Sequence, residues 1–387
     1  MNFSSSENMA PLFGDEYQAL RESVSALAQK KIAPFAHDVD ENARYPQEAA
    51  DALQQAGLAA AHVPEEFGGQ GADALAAVII IEEVARVCGA SSLIPAVNKL
   101  GSVPLLIGAN AEQKKKYLTQ LAQGKGFSYC LSESEAGSDA AAMKTKAVKS
   151  GDNWILSGSK KWISNAEVSD FYTVIAQTDP SLGSKGITAF VVEKTDAGVS
   201  FGAPEKKMGF RGSPTREVYF DNVEISDDRR IGEVGRGFSL AMDTLDHTRI
   251  TIAAQALGLA QGALDIATAY SHERKQFNKP IFDFQGVQFM LADMAMNIEA
   301  ARQLTYAAAV KSENGEKDLK FFSASSKCFA SDIAMKVTQD AVQILGGYGY
   351  VSDYPVERMM RDAKLTQIYE GTNQVQRIVM ARNLPVR

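Results

Sequence analysis

Cysteine and histidine are both scarce in this chain. Cys88, Cys130 and Cys328 are the only cysteines, far apart and without a Cys-x-x-Cys pair. That argues against a disulfide framework and favours a reducing compartment. The histidines are His37, His62, His247 and His272. His272-Glu273 opens like a zinc-protease motif, but Gln276 stands where the second ligand should fall. Metal catalysis therefore lacks support, and the histidines read as solvent-facing or hydrogen-bonded groups. Long apolar runs are missing too. The longest, Ala74 to Ile81, is far short of the ~20 residues needed to cross a bilayer. The first basic residue is Arg21, so the start of the chain lacks the charged region of a signal peptide. The expectation is a soluble, cytoplasmic protein with no membrane span. Basic charge is in deficit: a formal net charge of −7 argues against a large nucleic-acid footprint, although one local basic pocket remains compatible.

What is present is the composition of a globular enzyme, with 45% hydrophobic and 22% charged residues. At 387 residues the chain exceeds the roughly 250–300 that one core serves, so two or three substructures are expected. Period divides it accordingly. From about Asp15 to Gly124 the pattern is helical, with Tyr17, Leu20, Val24, Leu27 and Ala28 on one face and Pro34, Pro46 and Pro64 marking turns. From about Phe127 to Gly235 short β-rich runs replace it: Trp154 to Leu156, Phe171 to Ala176, Ile187 to Val192 and Val218 to Phe220. Ser150-Gly151-Asp152-Asn153 suits a hairpin turn, and no long helical pattern intervenes, so an antiparallel sheet or barrel is expected.

From Phe238 onward the pattern is helical again. Val287, Met290, Met294, Ile298, Ala301 and Leu304 form one stripe; Phe322, Phe329, Ile333, Val337 and Ala341 form another. The Glu313-Asn314-Gly315-Glu316 turn between them predicts an antiparallel pair. Gly258 and Gly262 predict close approach of a neighbouring helix, within a helix too polar for a membrane. The class is α+β, with units at 1–125, 126–236 and 237–387 and no internal repeat.

Rossmann and Walker fingerprints both fail. Gly69-Gln70-Gly71 would need glycine at Ala74, and Gly347-Tyr348-Gly349 would need it at Ser352. Four other segments carry candidate chemistry. Tyr129 to Asp139 runs from a strand into a polar, glycine-containing stretch that offers backbone N–H groups, or is a surface loop. Lys161-Trp162-Ile163-Ser164-Asn165 sets a flat ring beside a hydroxyl, useful against a ring system, or holds a structural Trp. Arg274 to Pro280 offers cations and an aromatic ring to a phosphate or adenine, or is a solvated helix end. In Arg361 to Gln374, Asn373 with Gln376 fits a helix start, which leaves Glu370-Gly371 on the preceding loop. A carboxylate there, after Ile368 and Tyr369, suits a partly apolar cleft and a raised pKa, or is an exposed loop glutamate.

Together these segments resemble the acyl-CoA dehydrogenase family, most closely its short-chain, butyryl-CoA branch. The resemblance runs from Val63-Pro64-Glu65-Glu66-Phe67-Gly68-Gly69 to Arg382. It is strongest at Ala136-Gly137-Ser138-Asp139, Gln343-Ile344-Leu345-Gly346-Gly347 and Gln367-Ile368-Tyr369-Glu370-Gly371-Thr372. It implies an acyl-CoA dehydrogenase-like fold: an N-terminal helical domain, a central β-barrel-like domain and a C-terminal four-helix bundle. It implies FAD, a homotetramer in which each FAD touches more than one subunit, and a place in fatty-acid β-oxidation.

Residue by residue, the resemblance makes Tyr129, Leu131, Ser132, Gly137 and Ser138 the flavin-lining segment. Trp162, Ile163 and Ser164 are its partner strand, with Ser164 near flavin N5. Arg274, Phe277, Gln285, Gln343, Ile344, Gly346 and Gly347 are similar to residues that hold the pyrophosphate and adenosine, partly across a subunit interface, and Thr372 and Gln374 complete that site. Ser138, Asp246, Arg249, Tyr369 and Gly371 match acyl-CoA contacts.

Glu370 is then the base that takes the C2 proton while a C3 hydride passes to flavin N5, with the ribityl 2′-hydroxyl and the base's own N–H polarising the thioester carbonyl. The electrons go on to an electron-transfer flavoprotein. Two departures stand out. Glu133-Ser134-Glu135 lacks the proline common after the first Glu. Thr248 occupies the position where isovaleryl-type members carry their base, and Thr cannot fill that role. The rival readings are a flavin oxidase of the same superfamily and a non-catalytic scaffold that keeps the fold. Packing around Leu93 to Leu106 is expected to set the acyl preference among short, methyl-branched and longer chains.

Overall fold

The computed structural model describes residues 14–384. Six helices come first: α1 (Asp15–Lys31), α2 (Ala36–Glu41), α3 (Gln47–Gln55), α4 (Ala74–Ala85), α5 (Gly89–Gly108) and α6 (Ala111–Ala122). Their starts follow local chemistry. The Asp73 carboxylate caps α4 by accepting from Ala76 N–H at 2.7 Å, and Asn110 and Gln113 form a reciprocal capping box on α6.

Eight strands follow: β1 (Phe127–Cys130), β2 (Lys146–Ser150), β3 (Asn153–Ser164), β4 (Phe171–Gln177), β5 (Ile187–Glu193), β6 (Val199–Phe201), β7 (Thr215–Ser226) and β8 (Arg230–Ile231). They make one sheet in the order β6-β7-β3-β2-β4-β5-β8, with β1 joined to β4. Gly151-Asp152 is the two-residue turn between β2 and β3, as the sequence predicts. The antiparallel expectation needs one correction. β1 runs parallel to β4, Phe127 opposite Phe171, so the sheet is mixed. The long β2–β3 excursion between them supplies the crossover that a parallel pair requires. Both faces are covered: Trp154, Tyr172, Phe190 and Phe220 pack on one side, while Phe127, Phe171 and Ile187 meet Tyr117, Leu118 and Leu121 of α6 on the other.

The last third begins with α7 (Gly237–Glu273), a helix of 37 residues. A small hairpin of β9 (Lys275–Gln276) and β10 (Lys279–Pro280) follows, then α8 (Gln285–Glu313), α9 (Leu319–Leu345), α10 (Val356–Thr366) and α11 (Asn373–Arg382). Ala253, Leu257 and Leu259 of α7, Met294 and Ile298 of α8, Val337 and Ala341 of α9, and Met359 of α10 share one core. One predicted stripe residue, Phe329, points outward instead, 38% exposed, because Lys327 and Ser331 take the inner face of that turn.

The search for apolar runs also missed something. Helices α5 and α7 are long and apolar enough to cross a membrane, because polar residues interrupt their runs without lowering the mean. Their apolar windows are 72% and 83% buried within the protein, so they are core helices here.

α7 is pinned to the N-terminal helices by close backbone approach. A Cβ on Gly258 would lie 2.2 Å from the Glu82 carbonyl oxygen, and one on Gly262 would lie 2.1 Å from that of Arg86. Beside this contact runs a buried charge network. Arg302 Nε donates to Glu82 Oε1 at 2.9 Å, the Tyr306 hydroxyl donates to Glu82 Oε2 at 2.6 Å, and Arg21 bonds both Glu83 and Tyr306. Replacing Gly258 by Val should therefore cost at least the ~1–3 kcal/mol of an overpacked core, read as a fall of several degrees in the thermal midpoint. Gly286→Ala, whose Cβ would meet nothing within 4 Å, should leave the midpoint in place.

Candidate active site

The chain between α10 and α11 turns sharply, and Glu370 lies at the turn. Its φ is +51° and that of Gly371 is +90°. A left-handed Glu is strained and persists only where its surroundings hold it. Here side chains do so. Gln376 Nε2 donates to the carbonyls of Glu370 (3.0 Å) and Gly371 (2.8 Å), and Arg249 Nε donates to that of Glu370 at 3.4 Å. Lys327, fully buried on α9, donates to the Gly371 carbonyl at 2.8 Å and to Asn373 Oδ1 at 2.9 Å. Thr372, not Asn373, caps α11 by accepting from Val375 N–H. This corrects the expected helix start: Asn373 points inward to Lys327, Ser331 and Asp332.

Glu370 is half-buried. Burial raises its pKa to about 7, partly offset by the Thr248 hydrogen bond and by the charges of Arg249 and Lys327. Thr248 Oγ1 donates to Glu370 Oε2 at 2.9 Å. The residue that cannot serve as a base thus orients the one that can. The Glu370 N–H donates to no described group, so it is free to polarise a ligand carbonyl. Beside it, the Tyr369 hydroxyl donates to Gln255 Oε1, and its ring lies 6.2 Å from that of Phe210. Asp246 pairs with Arg249 one turn along α7, and Lys320 stands 3.6 Å from Asp246.

Tyr129 adjoins this cleft. Burial, and then the Glu370 charge, hold its phenol well above the usual range, and its buried hydroxyl has no partner. The segment that follows is tied down by Lys161 N–H to the Ser132 carbonyl (2.8 Å) and by the buried Lys160–Glu133 pair (2.8 Å). Leu131 and Ser132 are half-buried, and Gly137 and Ser138 are exposed, with nothing within 4 Å of a Cβ placed on Gly137. On β3 a bulge falls between Lys160 and Ile163, and there Trp162 adopts φ +64° and turns outward, 58% exposed. Ile163 is buried, and the Ser164 carbonyl accepts from Ser128 Oγ at 2.8 Å. An unpaired phenol, an open glycine-serine stretch and an outward indole suit a flat, polar-edged ring system.

A second cluster lies at the far end of α7. Arg274, Ile344, Gly346 and Gly347 line a cavity of about 550 Å³ together with Tyr270 and Tyr348, and the Arg274 guanidinium stands 5.5 Å from the Tyr348 ring centre. Phe277 at the β9–β10 turn is 88% exposed, and Gln285, Gln343 and Gln374 are exposed as well. The sequence reading did not single out Lys327, Gln255 or Gln376 Nε2 for the catalytic turn. A Lys on the apolar side of α9 was the available signal for the first.

A strained turn that holds a half-buried carboxylate of raised pKa beside an unpaired amide has the parts needed to take up a proton next to a bound carbonyl. Comparisons with known proteins place the chain in a family. The family models "Acyl-CoA dehydrogenase, N-terminal domain", "middle domain" and "C-terminal domain" match residues 14–125, 128–223 and 235–384. The chain is 61% identical to "Probable acyl-CoA dehydrogenase fadE25" of Mycobacterium leprae, over 96% of this chain and 95% of that one. It resembles butyryl-CoA dehydrogenase from Megasphaera elsdenii with 42% identity and a TM-score of 0.93, covering 96% and 98% of the two chains. A chain solved in work on the electron transferring flavoprotein of Acidaminococcus fermentans is 45% identical, with a TM-score of 0.93 and the same coverage. The chain belongs to the acyl-CoA dehydrogenase family, whose members are FAD-dependent.

Glu370 predicts a pH signature in stability. Its carboxylate titrates near 7 in the fold against an ordinary 4.5. A raised acid weakens the fold where it is ionised, so the deficit is absent below about 4.5, grows between 4.5 and 7, and is complete above 7. Glu370→Gln should melt above wild type at pH values beyond 7, and the two curves should converge toward 4.5. Coincident melts on the alkaline side would contradict the burial described.

Proposed function

We propose that this enzyme converts a saturated acyl-CoA to the trans-2-enoyl-CoA, with Glu370 removing the C2 proton. The observation that carries the reading is the Glu370 turn: a carboxylate poised near neutral pH, fixed by Thr248, with its own N–H unpaired beside it. The thioester carbonyl is bound at that N–H, which supports the charge that builds on oxygen as the C2–H bond breaks. The proton passes to a Glu370 carboxylate oxygen, and the C2–H bonding electrons become the new C2–C3 double bond as hydride leaves C3. FAD, when bound, supplies the acceptor for that hydride. Ser138, Asp246, Arg249, Tyr369 and Gly371 line the acyl-CoA path. The Tyr129–Ser138 segment and Trp162–Ser164 hold the flavin ring and exclude water from it.

The homotetramer is the assembly that the family resemblance implies, and a length supports a site shared between subunits. Twenty-six residues of α7 separate Thr248 from Arg274, roughly 39 Å along the axis. That is farther than one FAD molecule reaches, so the phosphate-binding and adenosine-binding cluster of one subunit serves the flavin ring of another. Likeness to a chain from the Acidaminococcus fermentans flavoprotein work supports an electron-transfer flavoprotein as acceptor. Short or branched acyl groups fit the butyryl-CoA branch to which the chain is similar.

Glu370→Gln tests the base. It keeps side-chain volume and the backbone N–H but cannot accept the proton. Anaerobic bleaching of the flavin by butyryl-CoA should slow by about 10²–10⁴-fold, while binding still perturbs the flavin spectrum. Wild-type bleaching should rise with pH up to about 7, since the base acts ionised. A variant within about tenfold of wild type means that another group is the base.

Arg274→Ala tests the shared site. The variant should lose flavin on gel filtration while retaining Glu370 geometry, and dilution of wild type to monomers should release flavin. Full flavin retention by a diluted monomer would place both clusters in one subunit.

A further inference from the structure

Within the wall expected to set the acyl preference, Lys99 stands apart from its apolar neighbours. Ser92 on α5 receives a hydrogen bond from Gln255 of α7 at 2.9 Å, and Gln255 also holds Tyr369. Gly89 faces Leu259 and Gly108 faces Leu240, so α5 runs antiparallel along the part of α7 that carries Thr248. Ala96 continues this wall, sharing a core with Leu75, Val78, Ile250 and Ala254. Lys99 comes next, about 10 Å along α5 from Ser92. There it acts on His247, the residue before Thr248.

Lys99 is only 9% exposed, yet its ammonium makes no hydrogen bond and no ion pair with any described residue. Nor is it sealed. The enclosed polar atoms without a partner are Tyr129 Oη, Arg216 Nε, Ser323 Oγ and Gln376 Oε1, so Lys99 Nζ opens onto space that a water-sized group can enter. Two rings flank it. His62 Nε2 lies 2.7 Å from Ser102 Oγ, and His247 Nδ1 lies 2.7 Å from Ser312 Oγ. Burial, and then the Lys99 charge, push both imidazoles down in pKa.

The acids within reach are committed elsewhere. Asp73 takes the Tyr17 hydroxyl and Ala76 N–H, and Glu313 Oε2 accepts from Ala74 N–H at 2.9 Å, both at the amino end of α4. A buried cation without a contacting counter-ion is costly unless a ligand supplies the anion. The groups that act on Glu370 are Arg249 and Lys327, not Lys99, so the ammonium lies clear of the reacting carbons.

We propose that Lys99 determines specificity at the far end of the acyl chain, and that the preferred substrates are acyl-CoA thioesters whose chain ends in a carboxylate. The cleft beside the Glu370 turn receives the methylenes and the ammonium receives the terminal anion. This rests on the acyl-CoA dehydrogenase reading above.

The test compares adipyl-CoA with hexanoyl-CoA, equal in chain length, on the flavin-loaded enzyme. Wild type should favour adipyl-CoA in kcat/KM. Lys99→Met should lower the adipyl-to-hexanoyl ratio by roughly 10²-fold, and Lys99→Arg should restore most of it. Spectral titration of the flavin should show the same loss in adipyl-CoA affinity. Equal or reversed wild-type preference, or a ratio unmoved in Lys99→Met, overturns the proposal. The wild-type comparison decides even if Lys99→Met does not fold. Wild type that oxidises hexanoyl-CoA but not adipyl-CoA defeats only the Lys99 assignment, whereas bleaching by neither defeats the parent reading as well.

Discussion

A carboxylate has to be withdrawn from water far enough to be basic near neutral pH, while the chain around it stays hydrogen-bonded. The Glu370 turn meets both demands. Its backbone is left-handed at both residues 370 and 371. Their carbonyls are satisfied by Gln376, Arg249 and Lys327, and the Glu370 amide stays unpaired. Lys327 pays for its burial with these contacts, and its pKa falls to about 8 as burial outweighs the Glu370 charge.

Helix α7 distributes the consequences of that turn. Its first third brings Thr248 to the Glu370 carboxylate and Arg249 to the Glu370 carbonyl; its far end leads to Arg274 beside the cavity lined by Gly346 and Gly347. Between them, Gly258 and Gly262 let the Glu82 and Arg86 carbonyls press against the helix, and the Arg21–Glu82–Arg302 network fixes the angle of that contact. Such a network contributes little net stability against an apolar alternative. Its physical effect is to define one register between the N-terminal helices and the bundle. Helix α5 inherits that register, since Ser92 meets Gln255 on the same helix.

Some of this was legible from residues alone. The change of period at about residues 125 and 236 separates helices from strands because side-chain repeats of 3.6 and 2 are local properties. Gly151-Asp152 marks its hairpin for the same reason. The family resemblance rests on short segments such as Gln367 to Thr372, and these carry Glu370 with them. Errors fell where a second element competes. Asn373 is a good cap in isolation but a better partner for Lys327, and Phe329 fits an apolar stripe whose inner face is taken by Lys327 and Ser331. Strand β1 pairs parallel to β4 through contacts between residues more than forty positions apart.

The sequence by itself determined which groups could do the chemistry: a glutamate after Ile368 and Tyr369, a Trp beside a serine, a glycine pair after Ile344. Only the tertiary structure decided their states. Thr248 looked like the absence of a carboxylate and is the hydrogen bond that orients the one at Glu370. Glu370 is basic because other elements strip its water, and Lys99 is an unpaired cation because its neighbours, Asp73 and Glu313, are engaged at the start of α4. Burial and pairing are relations among distant parts of the chain, so no local pattern encodes them.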